Sequence, residues 1–176
     1  LNSRLDGVRP YPWGITELAI DEDLATLGKF GVRRCVGVLP DGTPFAIPDD
    51  LPPPEPLDVP PDVRDGTIFL TLPASQAGAT EFAEAESASH DVRFLVDEAE
   101  VSDSFSDARS HEPVEIGRPN LRFGITRDQT YGRVTLGLAR IREVSNKRLM
   151  FDDRYIPPAQ DIDASERLKG GLADIL

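Results

Sequence analysis

Apolar residues alternate with polar ones in short runs separated by turn residues, and this period of two predicts strands along most of the chain. From Phe30 the even positions Phe30, Val32, Val36 and Val38, interrupted by Arg34, are expected to form one buried face. The run ends at Pro40-Asp41-Gly42-Thr43, where Asp41-Gly42 predicts a tight hairpin because glycine accepts positive φ without steric cost. A return strand over 43–47 should follow and stop at Pro48, which has no amide to give to a ladder. Ile68, Leu70 and Leu72 alternate again, as do Leu121, Phe123 and Ile125. Val134, Leu136 and Leu138 open a further strand whose phase passes to Ala139 and Ile141, so a bulge is expected near 138–140.

Three stretches break this rhythm. Pro48, Pro52, Pro53, Pro54, Pro56, Pro60 and Pro61 exclude an interior strand or helix over 48–66 and predict an extended surface connection with polyproline II character. Residues 76–90, rich in Ala, Ser, Glu and Gly with Phe82 as their aromatic, fit either a loop or a short polar helix. Near the C-terminus the period lengthens: Asp163 is a candidate N-cap with Glu166 at the capping-box spacing, and Leu168, Leu172, Ile175 and Leu176 fall on one helical face. Gly170-Gly171 would cost that helix about 2 kcal/mol relative to alanines, so it needs packing partners, and the Leu168, Leu172, Ile175 stripe is a candidate oligomer contact. The fold expected is mainly β, an antiparallel β-sandwich with a C-terminal helix.

Composition narrows the chemistry. The single Cys35 excludes a disulfide framework and a four-cysteine zinc site, and its place in an alternating strand marks it as a small core residue. No run of about 18 apolar residues is present, so direct membrane insertion through a helix is not expected. The first residue is Leu and no basic segment leads into an apolar one, which fits a soluble, cytoplasmic piece of a longer chain. The net charge of −12 is uneven: residues 61–116 hold 3 basic and 13 acidic side chains, whereas 117–176 hold 11 and 8. Such a balance repels a phosphate backbone, so nucleic acid is excluded as a partner. The acidic middle is either a solvated surface or a docking face for a basic protein.

Candidates for catalysis or metal binding are few. His90 and His111 lie in polar, turn-rich segments and are expected at the surface, and none of the short hydrolase, zinc or nucleotide motifs occurs. Asp97, Glu98, Glu100, Asp103 and Asp107 lack the ligand–glycine spacing of a calcium loop and predict a charged strand edge instead. No catalytic residue, cofactor or metal is therefore expected.

The sole Trp and two of the three Tyr occupy two Pro/aromatic boxes near the chain ends: Arg9, Pro10, Tyr11, Pro12, Trp13, Gly14 and, later, Arg154, Tyr155, Ile156, Pro157, Pro158, Ala159. Their placement suggests a structural framework, with Asp41 and Gly42 as its hairpin component, and predicts that Trp13 is largely buried.

The same boxes carry a resemblance. Residues 9–48, with the RPYPWG box, Leu27-Gly28-Lys29 and the Pro40–Phe45 hairpin, resemble the amino-terminal region of the type VI secretion baseplate protein of the TssK family. VEIGRPNLRFGI (114–125), YGRVTLGLARIREV (131–144) and FDDRYIPP (151–158) resemble the second half of the same domain. The resemblance implies a shoulder domain like that of phage receptor-binding proteins over 1–160 and the start of a helical neck over 161–176. It further implies a non-catalytic, homotrimeric adaptor whose shoulder faces the baseplate wedge proteins. An absent C-terminal region would reach the membrane complex at the cytoplasmic face of the inner membrane. The strand pattern alone also permits a carbohydrate-binding or hydrolase accessory β-sandwich.

Overall fold

Alternation of apolar and polar side chains turns into paired strands wherever one face can be removed from water. The computed structural model describes residues 12–84, 92–102 and 111–161. The first elements are β1 (Gly14–Ile20), α1 (Glu22–Thr26), β2 (Lys29–Phe30), β3 (Val32–Val38), β4 (Pro44–Ile47), β5 (Leu57–Asp58) and β6 (Arg64–Pro73). They are followed by β7 (Phe82–Glu84), β8 (Phe94–Ser102), β9 (His111–Pro119), β10 (Arg122–Gly124), α2 (Arg127–Thr130), β11 (Arg133–Ser145) and β12 (Arg148–Phe151). The chain divides into two compact units, Leu1–Thr71 with Leu121–Leu176, and Leu72–Asn120. The expected mainly β, antiparallel fold is observed, with β7 as a short parallel exception.

In the first unit the sheets run β1-β3-β4, β10-β6-β11-β12 and β2-β5. Phe30 is fully buried and joins two of them: its ring meets Phe123 edge-on at 5.1 Å and Phe151 at 6.3 Å. Ile15, Cys35, Leu39, Ile47, Ile68, Leu70, Leu136, Leu138 and Ile141 complete the core. At the border of this core Thr71 is buried, and its Oγ1 donates to the Arg122 carbonyl at 3.1 Å and accepts from Arg133 Nε at 2.9 Å. A buried hydroxyl with both functions engaged avoids the desolvation cost of an orphaned group.

The even-numbered face expected for β3 is corrected by a bulge. Ala19 pairs with Arg34 and Ile20 with Val32, so Arg33 is an extra residue and the buried side passes from Val32 to Cys35, Gly37 and Leu39. Val36 and Val38 are consequently only half-buried. The released Arg33 reaches the N-cap of α1, 3.5 Å from Asp21 and 2.5 Å from Asp23, while Arg34 joins Glu17 to Asp49. In the pairing of β11 with β12 an irregularity lies at Arg142, between the Ile141–Phe151 and Glu143–Met150 pairs. Leu136 to Ala139 are all buried because β11 is an interior strand covered on both faces, which removes the alternation.

The proline-rich stretch does contain the two-residue β5, which pairs with β2 through Lys29–Asp58 and Phe30–Leu57, and past its last proline the interior strand β6 already begins at Arg64. In the second unit the sheet order is β7-β8-β9. Phe82–Glu84 is a strand where a loop or helix was expected, because three residues suffice to dock on the existing edge of β8. The expected helix with Asp163, Glu166, Leu168, Leu172 and Ile175 lies outside the described residues, as do Arg9, Pro10 and Tyr11.

Candidate functional site

Of the two Pro/aromatic boxes, the described parts lie side by side. The end of β12 begins the arrangement. Asp152 N–H donates to the Arg140 carbonyl at 2.8 Å, and its Oδ1 accepts from Arg154 N at 3.0 Å and Arg154 Nε at 3.2 Å. These donors, the Arg154 amide first and its guanidinium next, hold the Asp152 carboxyl below the ordinary carboxylate value of 3.8. The resulting turn brings Tyr155 N–H to the Asp152 carbonyl at 3.0 Å and sends the ring back over β11. There Gly137 leaves the slot, since a side chain at 137 would collide with the Tyr155 hydroxyl. Burial raises the Tyr155 pKa, with Arg140 acting in the opposite sense.

Past Tyr155, Ile156 is exposed and Pro157 buried, and the chain runs parallel to β1. Ile15 N–H donates to the Pro158 carbonyl at 2.8 Å, Gln160 N–H to the Ile15 carbonyl at 2.9 Å, and Ile15 bridges Ala159. Proline suits this seam because Pro158 contributes only its carbonyl to the ladder. Gly14 stands at φ +135°, where a Cβ would lie 3.0 Å from the Pro158 oxygen, so both the conformation and the close approach require glycine. Trp13, expected to be largely buried, is half-buried: it precedes the ladder that covers Gly14 and Ile15.

The third framework component forms as its dipeptide dictates. Gly42 has φ +84°, Thr43 N–H donates to Asp41 Oδ1 at 3.0 Å, and Leu39 N–H to the Thr43 carbonyl at 2.9 Å, closing the turn between β3 and β4. Cys35 is fully buried, and burial pushes its thiol up to about 12, which leaves no nucleophilic thiolate at neutral pH. Among the described residues there is no group of three or more His, Cys, Asp or Glu able to hold a metal ion, and no helix is long and apolar enough to cross a membrane. Sequence reasoning missed Asp152, Gly137 and Gln160 as parts of the seam. An isolated glycine within the Leu136–Leu138 strand is the one signal that could have pointed to a close approach.

The whole sequence, residues 1–176, matches the family described as "Bacterial Type VI secretion, VC_A0110, EvfL, ImpJ, VasE". The chain belongs to this family. It is 37% identical over 165 residues to the type VI secretion system baseplate component TssK1 of Pseudomonas aeruginosa PAO1, covering 93% of this chain and 37% of that protein. The chain therefore spans little more than a third of the length of this TssK relative. Among solved structures, a crystal structure of TssK superposes with a TM-score of 0.88 and 26% identity, covering 98% of this chain and 39% of that one. A TssK-TssF-TssG baseplate subcomplex contains a chain that matches with a TM-score of 0.84 and 22% identity, over 99% of this chain and 58% of that one, a likeness of fold. The similar TssK proteins are thus components of the type VI secretion baseplate, found there with TssF and TssG.

Proposed function

We propose that this chain is a non-catalytic assembly module of the type VI secretion baseplate, serving as the baseplate-facing shoulder of an adaptor that links the wedge proteins to the membrane complex. Residues 1–160 form the shoulder in this reading and 161–176 begin the neck. The full-length protein is a homotrimer at the cytoplasmic face of the inner membrane, with no nucleic-acid partner and no cofactor. The observation that carries the proposal is the family match along all 176 residues, together with relatives named as baseplate components. The seam supports it: two parallel-ladder hydrogen bonds fasten the segment entering β1 to the segment leaving β12, as suits a module that must hold its place under load. In the proposal Leu168, Leu172 and Ile175 contact equivalent helices of other subunits, and the two boxes with Asp41 and Gly42 keep the shoulder rigid.

The test is co-purification of the full-length protein with TssF and TssG of the same secretion system, with light scattering on the protein alone. A stable trimer that captures both proteins is expected. A monomer that captures neither would overturn the reading.

A further inference from the structure

The β7-β8-β9 sheet shows apolar groups on both faces, and its two faces differ in charge. Residues opposite one another in a ladder share a face. One face therefore carries Phe82 beside Phe94 and Pro119, then Glu84 beside Val96 and Gly117, then Glu98 opposite Glu115. The other carries Leu95, Asp97, Val114, Ile116 and Arg118, and there the Arg118–Asp97 ion pair at 2.9 Å balances the charge.

On the first face the Phe82 and Phe94 rings stack with centroids 5.1 Å apart and planes inclined by 21°. Gly117 admits this arrangement, because a Cβ there would stand 2.6 Å from Phe82 Cε1. Phe82 nevertheless remains 54% exposed. Phe94 already has a cation near it, the Arg93 guanidinium carbon lying 5.4 Å from its ring centre. Beyond the rings, Glu98 and Glu115 stand directly across the ladder from each other, and among the described residues neither is ion-paired. Like charges in such a cross-strand pair oppose folding, and an exposed aromatic ring gains nothing from water. Both deficits are removed by one kind of ligand: a basic segment with a planar cation that stacks on the ring and a second cationic group that gives its N–H groups to the carboxylates.

We infer that the face bearing Phe82, Phe94, Glu98 and Glu115 is a docking surface for an arginine-bearing segment of a protein partner. An arginine would stack on Phe82, and a neighbouring basic side chain would meet Glu98 and Glu115. The 61–116 segment of the sequence to which this face belongs, with 13 acidic and 3 basic residues, favours a basic partner. The inference rests on the assembly reading above only for which baseplate protein supplies the segment.

The test uses the full-length protein, with hexa-arginine and hexa-glutamate as probe peptides. Wild type should bind hexa-arginine and not hexa-glutamate. The Glu98→Lys/Glu115→Lys variant should bind hexa-arginine about tenfold more weakly, and Phe82→Ala several-fold more weakly. A control, Glu55→Lys in the exposed proline-rich connection, should stay within about twofold of wild type. Glu98→Gln/Glu115→Gln repeats the measurement without charge reversal, and melting curves verify that each variant is folded. The inference fails if the double variants keep wild-type affinity, or if the control loses as much as they do. It fails equally if the face binds a neutral oligosaccharide that is lost with Phe82→Ala but not with the charge variants. The TssF–TssG subcomplex is then measured against the same proteins. Wild type that ignores the subcomplex counts against the assembly reading, whereas the peptide result decides the face.

Discussion

Replacing Gly14 by alanine should loosen the seam and with it the module. The residue sits at φ +135°, a conformation that costs an L side chain about 1–3 kcal/mol. The new Cβ also meets backbone, 3.0 Å from the Pro158 oxygen, 3.2 Å from its carbonyl carbon and 3.3 Å from the Ala159 carbonyl carbon. Backbone held in a ladder cannot turn aside as a side chain can, so crowding adds about 1–3 kcal/mol. Reduced freedom of the unfolded chain returns about 0.4–1 kcal/mol. The net loss is about 3 kcal/mol, which for a chain of 176 residues lowers the melting temperature by about 6–12 °C. Gly132→Ala is the matched control: φ is +68° but nothing lies within 4 Å of its Cβ, so only the conformational cost of about 1 kcal/mol applies. Circular dichroism melts of wild type and both variants give the comparison, and hydrogen exchange at the Ile15 and Gln160 amides gives the local readout. Equal shifts for the two variants, with unchanged exchange at Ile15 and Gln160, would refute the claim that the seam bears on the stability of the module.

The core, the thiol and the carboxylates supply further tests. Phe30→Ala removes a fully buried ring together with its edge-on contacts to Phe123 and Phe151; a loss of about 3–5 kcal/mol is expected in urea titrations, and a change under 1 kcal/mol would contradict its bridging role. Cys35 should not react with a thiol reagent at mildly alkaline pH until the protein is unfolded in urea, because its thiol is buried and titrates near 12. Asp21 and Asp152 both titrate below 3.8 in the folded protein, through the Leu24 and Arg154 amides respectively. A lowered native pKa contributes stability that is complete above the unfolded value and disappears as pH falls below 3.8 through the native one. Melting temperatures followed down to about pH 2 should therefore drop more steeply for wild type than for Asp21→Asn/Asp152→Asn, and parallel curves would contradict the assignment.

Several elements were legible locally, and others were legible but overlooked. Asp41-Gly42 became the hairpin it encodes, and Ile68, Leu70, Leu72, Leu121 and Phe123 are buried as their alternation predicts. Helix α2 carries a capping box, Thr126 with Gln129, whose spacing stands in the sequence, and the Asp21 side chain caps α1 by accepting from the Asp23 and Leu24 amides; neither helix was expected. Leu136, Leu138, Ala139 and Ile141 of β11 are buried as expected, whereas burial in β3 was misplaced because periodicity has no access to the partner strand. One extra residue at Arg33 reverses which side of β3 faces the core, and covering β11 on both faces erases its alternation.

What the sequence determined by itself is whatever depends on a residue and its near neighbours. That covers the strand-forming period of two, the turn chemistry of Gly42, the proline limits on 48–66, and the absence of a recognisable catalytic motif. Its two boxes also carried the family, since several independent motifs in the right order survive without any structure. Only the tertiary structure decided that Gly14 and Pro158 touch, that Tyr155 returns onto Gly137, and that Phe82 rests across Phe94 beside Gly117. These contacts join residues as far as 144 positions apart, and no local preference encodes such a distance. They form because the chain must satisfy its backbone hydrogen bonds and cover its apolar surface at the same time, a condition on the whole molecule and not on any segment of it.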